Sequence, residues 1–526
     1  MRIKTLFFLI FFSFSTILGA QTVHDPNGEL YRDIDIWFVR GYITESLPMI
    51  RPYPVKLITV LLEQVIENGD LKAQEKAAFY MEVLAPGSRF LHPGIMSYIQ
   101  GNEKEHSTII APFIEGLFHI NPRFNVSYNY SVFGLSDGLA GEDFNVPWTY
   151  SPYPDIIDDW ANIGEFKVLQ SWTSLVAFGT TNVYLQAGLS RTSFGPFYDN
   201  GIIVGPQAPR AGHFSFVYRQ PVWSFEVLFQ TLTATDDFGD DRFPSKYNII
   251  HAFNVRPVKA LELGIVQTLT YGERIEPLYF VPFTFLFMSQ AVYGFYDNAF
   301  IGLYFRWRPF NTFIVNGQVY IDDFHFNSLL TGVIKTKSAG EIGISWTPEK
   351  SLLTKLDFDY TAVLPYTYTH RNQPERHVHG IPNYLNYTHM GRNIGPDLQP
   401  NSDRFSLRTF WNILSNVDVN VSAYFTRHGN ASAEHEPRNG KQDGSVFDDG
   451  YLIDDHLSYG FSLFLTQPVL DTRLGGTIGV NWQLPSSFGT FKLSGDYGIQ
   501  YGWNRGLSSG NNGLDHFWSI GGKWTY

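Results

Sequence analysis

Along most of this chain apolar and polar residues alternate one by one. The closing stretch HFWSIGGKWTY puts Trp518, Ile520, Gly522, Trp524 and Tyr526 on one face and Phe517, Ser519, Gly521, Lys523 and Thr525 on the other. A period of two predicts a strand. FKLSGDYGIQYGW repeats it, with Phe491, Leu493, Tyr497, Ile499, Tyr501 and Trp503 opposite Lys492, Ser494, Asp496 and Gln500. So do NVDVNVSAYF (416–425), KLDFDYTAVL (355–364) and RLGGTIGVNWQ (473–483). Between about residues 28 and 86 the period is helical instead. GELYRDIDIWFVRGY carries Leu30, Ile34, Trp37 and Phe38 at helical spacing, RPYP breaks it, and VKLITVLLEQVIENG and LKAQEKAAFYMEVL follow. Three short amphipathic helices can bury their apolar stripes together, and the polar side of the first predicts that this unit sits in water.

A soluble sandwich would also alternate. Three features point to a transmembrane barrel instead. The strands exceed the roughly five or six residues usual in globular sheets. Charges such as Lys355, Asp357, Asp359, Lys492 and Asp496 lie inside the strand pattern, and Trp and Tyr gather toward strand ends, as in an interfacial girdle. A barrel puts the apolar face on lipid and leaves the polar face to line a wet lumen. A spanning sheet must close, because an open edge in lipid leaves backbone groups unpaired. The last strand is therefore expected to pair with the first, which holds a chain end that would otherwise fray. Its terminal aromatic also resembles the insertion signal that the assembly machinery of bacterial outer-membrane barrels reads.

Connections alternate short (121–123, 219–221, 255–258, 308–311, 347–351, 415–418) and long (135–164, 194–210, 234–244, 271–297, 323–337, 367–402, 429–454). Short inner turns and long outer loops are the usual asymmetry. The count is about eighteen antiparallel strands, but its parity does not close. A further strand is needed near 88–101, and TQPVLD (466–471) and LPSSFG (484–489) cannot both be inner turns.

The leader MRIKTLFFLIFFSFSTILGAQT has a basic start, an apolar run and small residues at Gly19-Ala20. It predicts a signal peptide over 1–20, a periplasmic helical unit over 21–87 and an outer-membrane barrel over 88–526. A net charge of −12 argues against nucleic acid, whose phosphates need a basic surface. The absence of cysteine excludes disulfides, thiolate metal sites and a cysteine nucleophile.

Three stretches carry a resemblance: YRDIDIWFVRGYITESLPMIRPYPVKLITVLLEQV, SRTSFGPFYDNGIIVGPQAPRAGHFSF, and the run from Pro277 through DN (297–298) to DD (322–323). Together they resemble the capsule-assembly Wzi family of outer-membrane proteins, although the Gly-Pro loop departs from the usual form. The resemblance implies an eighteen-strand barrel with a small helical periplasmic appendage. It also implies a role in holding or organising surface polysaccharide, and no catalysis.

Asp297, Asn298, Asp322 and Asp323 flank a strand pair and could bind sugar hydroxyls or a divalent cation through hard oxygen ligands, or form a solvated rim. The acidic run at Asp236, Asp237, Asp240 and Asp241 lacks the spacing of a calcium loop. The loop with His370, His377, His379, Tyr384 and His389 mixes rings suited to sugar stacking with a His-x-His pair, which needs a third ligand to hold a metal. No metal or other cofactor is expected. The stretch 277–295 is unusually apolar for a connection and reads as a strand with its flanks or as a segment folded into the lumen. GxSxG occurs only as the strings GLSDG (134–138) and GLSSG (506–510), with no helical pattern after either to make a strand-to-helix elbow, and no HExxH occurs, so an enzyme is not expected, although a Ser-His pair is recognised by geometry rather than spacing. The reading is a monomeric outer-membrane barrel, in contact with lipid, surface polysaccharide and the assembly machinery. The alternative is a diffusion porin for small polar solutes.

Overall fold

A computed structural model of the chain describes residues 25–85, 91–136, 161–164, 166–235, 242–324, 336–349, 351–370, 378–381, 383–414, 416–429, 446, 464–486 and 488–526. The leader and the acidic run at 236–241 lie outside the described residues. Eighteen antiparallel strands close into a barrel. They are β1 (His92–Gly101), β2 (His106–Asn121), β3 (Phe124–Ser136), β4 (Phe166–Gly179), β5 (Val183–Ser190), β6 (Ala211–Gln220), β7 (Trp223–Thr235), β8 (Arg242–Val258) and β9 (Leu261–Gly272). There follow β10 (Asn298–Phe310), β11 (Phe313–Phe324), β12 (Thr336–Trp346), β13 (Leu353–Val363), β14 (Ser402–Leu414), β15 (Val417–Gly429), β16 (Leu470–Ser486), β17 (Gly489–Trp503) and β18 (Gly513–Thr525). A short strand, Ala161–Ile163, pairs with the start of β4.

Closure is made by β18 and β1, with Trp524 opposite Ile95 and Trp518 opposite Gly101. The Tyr526 amide donates to the Pro93 carbonyl at 3.0 Å, so the last residue is held by the first strand. The parity problem resolves at both ends. β1 is the strand that the loop pattern demanded before residue 106. Residues 466–471 form no turn between strands: they lead into β16, which pairs directly with β15. At 102–105 a short connection sits at the long-loop end, where the Asn102 side chain accepts from the Lys104 and Glu105 amides at 2.8 and 2.9 Å.

Ile301, Leu303 and Ile342 on the outer face stay 47 %, 56 % and 54 % exposed. A soluble sandwich buries its apolar face; here the apolar face looks outward around the circumference, as a wall against lipid requires. Trp307, Trp346 and Trp482 stand outward near the short turns and remain partly exposed. Among the described residues no helix is long and apolar enough to cross a membrane.

The three expected helices form as α1 (Glu29–Val39), α2 (Val55–Asn68) and α3 (Leu71–Leu84). Asp70 caps α3 by accepting from the Ala73 amide at 2.9 Å, as N-cap carboxylates do. Leu30, Ile34 and Trp37 pack against Leu57, Leu61, Val65, Ala77 and Tyr80. The same core continues into Leu117, Tyr184, Val217 and Ile314 of the barrel wall. This corrects the expectation that the unit sits in water by itself: α1 and the chain up to Tyr53 fill the barrel mouth at the short-turn end.

Candidate functional site

The mouth is held by ionic contacts between α1 and inner-wall side chains. Arg32 donates to Asp418 at 3.1 Å, Asp35 pairs with Lys355, and Glu29 accepts from Gln483 at 2.7 Å and lies 3.5 Å from Lys492. Arg308 donates to the Phe38 carbonyl, and its guanidinium and that of Arg306 sit 4.7 and 4.8 Å from the centre of the Phe38 ring. Glu226 accepts from the Met49 and Ile50 amides, each at 3.0 Å. The polar face of α1 therefore meets charge on the wall rather than water. Burial raises the Glu29 carboxyl, but Lys492, Lys76 and Arg32 outweigh it and hold the group well below the usual range. Burial raises the Asp33 carboxyl against the pull of Lys76 and Arg32.

Above the mouth the lumen is filled by chain. Ile50–Arg51 pairs with Ser193–Phe194 of the loop 191–210. A column of backbone hydrogen bonds then climbs the lumen: Gly195 amide to Met49 carbonyl at 3.1 Å, Phe194 to Val204 at 3.0 Å, Gly205 to Ile394 at 2.9 Å and Ile394 to Tyr387 at 3.1 Å. Around it Ile202, Ile203 and Val204 pack with Ile250, Val266 and Tyr368, and Phe300 stacks on Tyr320 with centroids 4.7 Å apart. Arg408 bridges Asp199 of the loop and Asp359 of the wall. Asn200 donates to Asp359 at 3.2 Å and to Thr361 at 3.0 Å. Of the inner-wall set expected to line a wet lumen, Lys492 and Asp496 stay partly exposed, but Lys355, Asp357 and Asp359 are buried, at 3 %, 4 % and 1 % exposed. Charges at such depth persist because each is paired.

The sequence-predicted site residues do not converge. Asp297 is buried and accepts from Arg274 at 2.5 Å and Tyr279 at 2.6 Å. Asn298, also buried, donates to the Leu385 carbonyl at 3.0 Å. Asp322 accepts from the Tyr368 amide at 2.7 Å. Asp323 pairs through its backbone with Lys337, and its side chain is not among those described. Tyr384 is fully buried and donates to the Pro244 carbonyl at 2.6 Å. The described members of the set act on loops, pinning 273–297 and the described chain at 364–370 and 383–401. His377 lies outside the described residues. His389 is buried and accepts from the Thr233 amide at 3.0 Å. His379 alone of the described set stands at the surface, stacked on Phe243 with centroids 5.4 Å apart and 3.6 Å from the Glu273 carboxylate. Among the described residues no three His, Asp or Glu gather to hold a metal ion.

The stretch 277–295 is neither a strand nor a plug. It forms a 3₁₀ turn (Pro277–Phe280) and α4 (Leu286–Tyr293), laid on the outside of the barrel against Phe225, Val227, Ile249 and Leu269. Sequence reasoning also missed the residues that seal the lumen, Asp35, Asp199, Glu226 and Arg408. Each reads locally as a solvated polar position, and its partner is more than a hundred residues away or on another element.

A closed antiparallel barrel with an apolar outer band and a filled lumen belongs structurally among transmembrane β-barrels. Its structure is similar to that of Wzi from Escherichia coli, an outer-membrane protein involved in group 1 capsule assembly and described as a carbohydrate-binding β-barrel. The TM-score is 0.58 at 14 % identity, over 97 % of this chain and 99 % of that one. Lower similarity is found to Acinetobacter baumannii OccAB2 (TM-score 0.44, 9 % identity, 83 % of this chain and 97 % of that one) and Pseudomonas aeruginosa OprD (0.41, 8 %, 83 % and 94 %). No protein-family model and no curated protein matches the sequence.

Proposed function

We propose that this protein is an outer-membrane barrel that binds or organises surface polysaccharide at its long-loop face and does not conduct solutes. The filled lumen carries the reading. Barrels of sixteen to eighteen strands are wide enough to leave an aqueous channel, yet here chain from α1, 191–210, 364–370 and 383–401 is packed inside from the short-turn mouth to the long-loop end. The patch of His379, Phe243 and Glu273 supports contact with sugars, since rings stack on sugar faces and a carboxylate accepts from hydroxyls. The likeness to a carbohydrate-binding barrel favours the same reading. In it the leader 1–20 is removed, α2 and α3 face the periplasm, and the chain works as a monomer inserted by the barrel-assembly machinery.

The test is paired. Refolded protein in planar bilayers is expected to give no stepwise conductance, and cells carrying it are expected to retain polysaccharide that His379→Ala releases. Stable stepwise openings of the intact protein, with no dependence of polysaccharide retention on it, would move the assignment to a diffusion porin.

A further inference from the structure

The outer wall carries two polar residues where lipid-facing strands are apolar. Val227, His251, Gln267 and Ile301 stand side by side across β7 to β10, and Ile301 is 47 % exposed on the outer face. His251 and Gln267 therefore point outward at membrane depth, yet His251 is only 2 % exposed. The segment 277–296 covers them. Gln267 donates to the Thr284 carbonyl at 2.7 Å and accepts from the Leu286 amide at 2.8 Å. Phe283 lies on Phe225 with centroids 4.4 Å apart, and Phe280 on Phe229 at 5.0 Å. Phe225 is two residues beyond the start of β7, so the segment descends from the long-loop end nearly to the short turns.

We infer that residues 277–296 form a re-entrant segment embedded in the bilayer, whose outer side is a binding surface for lipid acyl chains. The inference rests on the reading that the barrel spans a membrane. Three observations select lipid as the occupant. PLYFVPFTFLFMSQAVYGFY contains no charged residue and no histidine. Its outer side exposes Phe283, Phe285, Phe287, Met288 and Val292 by 59 to 80 %, continuous with the apolar band that includes Ile301 and Leu303. Its non-helical backbone at Thr284 is satisfied by Gln267, the condition under which irregular backbone persists at membrane depth. At the loop end, Arg274, Asp297 and Tyr279 tie the segment to the barrel.

The chain has no cysteine, so single nitroxide labels can be placed cleanly. Phe287→Cys and Val292→Cys probe the segment, Leu303→Cys the bare wall and Leu71→Cys the exposed side of α3 (56 % and 77 % exposed for the last two positions). All are read in the full-length protein in phosphatidylethanolamine–phosphatidylglycerol vesicles. The oxygen-to-nickel-chelate collision ratios at 287 and 292 are expected to match that at 303 and to exceed that at 71 several-fold. Ratios at 287 and 292 that match position 71, with 303 still lipid-like, would overturn the inference alone. Dipolar broadening between labels at 292 would overturn it in favour of a second copy as occupant. A water-like label at 303 would overturn the membrane reading beneath it.

Discussion

Two segments of nearly equal length leave the barrel at the same end and finish on opposite sides of its wall. Residues 191–210 turn into the lumen, and residues 277–296 lie on the outside. Length does not separate them, but composition does: seven of the twenty inner residues are apolar against fourteen of the twenty outer ones, and only the inner segment carries charge. Polar side chains fix where each docks. The inner segment carries Asp199 and Asn200, which meet Arg408, Asp359 and Thr361 on the wall, and Arg210, which donates to Ser171 at 2.6 Å. The outer segment has no charge and borrows its polar partners from the wall through Gln267. A buried charge needs a paired partner, which only the inner wall offers, and uncharged apolar chain is stable against lipid. Charge content and hydrophobicity together sort the two.

The comparison breaks most severely at Arg408. Arg408→Leu leaves Asp199 and Asp359 buried without their cation, a loss of about 3–5 kcal/mol. Segment 191–210 is expected to detach, lowering the denaturation midpoint and giving conductance steps in planar bilayers where the native protein is silent. On the outer side Gln267→Leu removes both hydrogen bonds to the covering segment, an expected loss of about 1–3 kcal/mol. Faster hydrogen exchange at the Leu286 amide, with the lumen still closed, would show that the two coverings are independent.

Acid acts on the mouth with a sign that follows from Glu29. Its carboxyl is held below the ordinary range by Lys492, Lys76 and Arg32 against the effect of burial. Its contribution is therefore fully present above the unfolded carboxylate value of about 4.3 and is lost as pH falls toward the folded value. Asp33, raised by burial, has the opposite sign and gains stability as it takes up a proton. Protease cleavage within α1 is expected to rise below about pH 4, and Glu29→Gln is expected to flatten that rise; unchanged pH dependence in the variant would assign the effect elsewhere. The smallest structural effect is expected at His379→Ala, within about 0.5 kcal/mol for an exposed side chain. Polysaccharide retention is its readout, and retention equal to the native protein's would remove His379 from the binding patch.

The legible parts of the molecule are those whose pattern is local. α1 to α3 fall where the helical spacing puts them, and Lys355, Asp357 and Asp359 alternate with Leu356, Phe358 and Tyr360 as β13 requires. Of the predicted site residues that are described, His379 alone stands at the surface. Asp297, Asn298, Asp322 and Tyr384 look like binding groups in a list of residues, but each is turned to the Arg274, Leu385, Tyr368 or Pro244 partner that tertiary contact supplies.

The amino-acid sequence by itself determined the strand period, the short and long connections, the three helices and the need for the last strand to meet the first. Those follow from side chains alternating within one strand and from the cost of an unpaired edge in lipid. Only the tertiary structure decided that the lumen is filled, that α1 turns its charges to the barrel wall and that 277–296 lies outside. Each of these depends on pairs such as Asp35 with Lys355 or Thr284 with Gln267, whose geometry exists only after the barrel has closed.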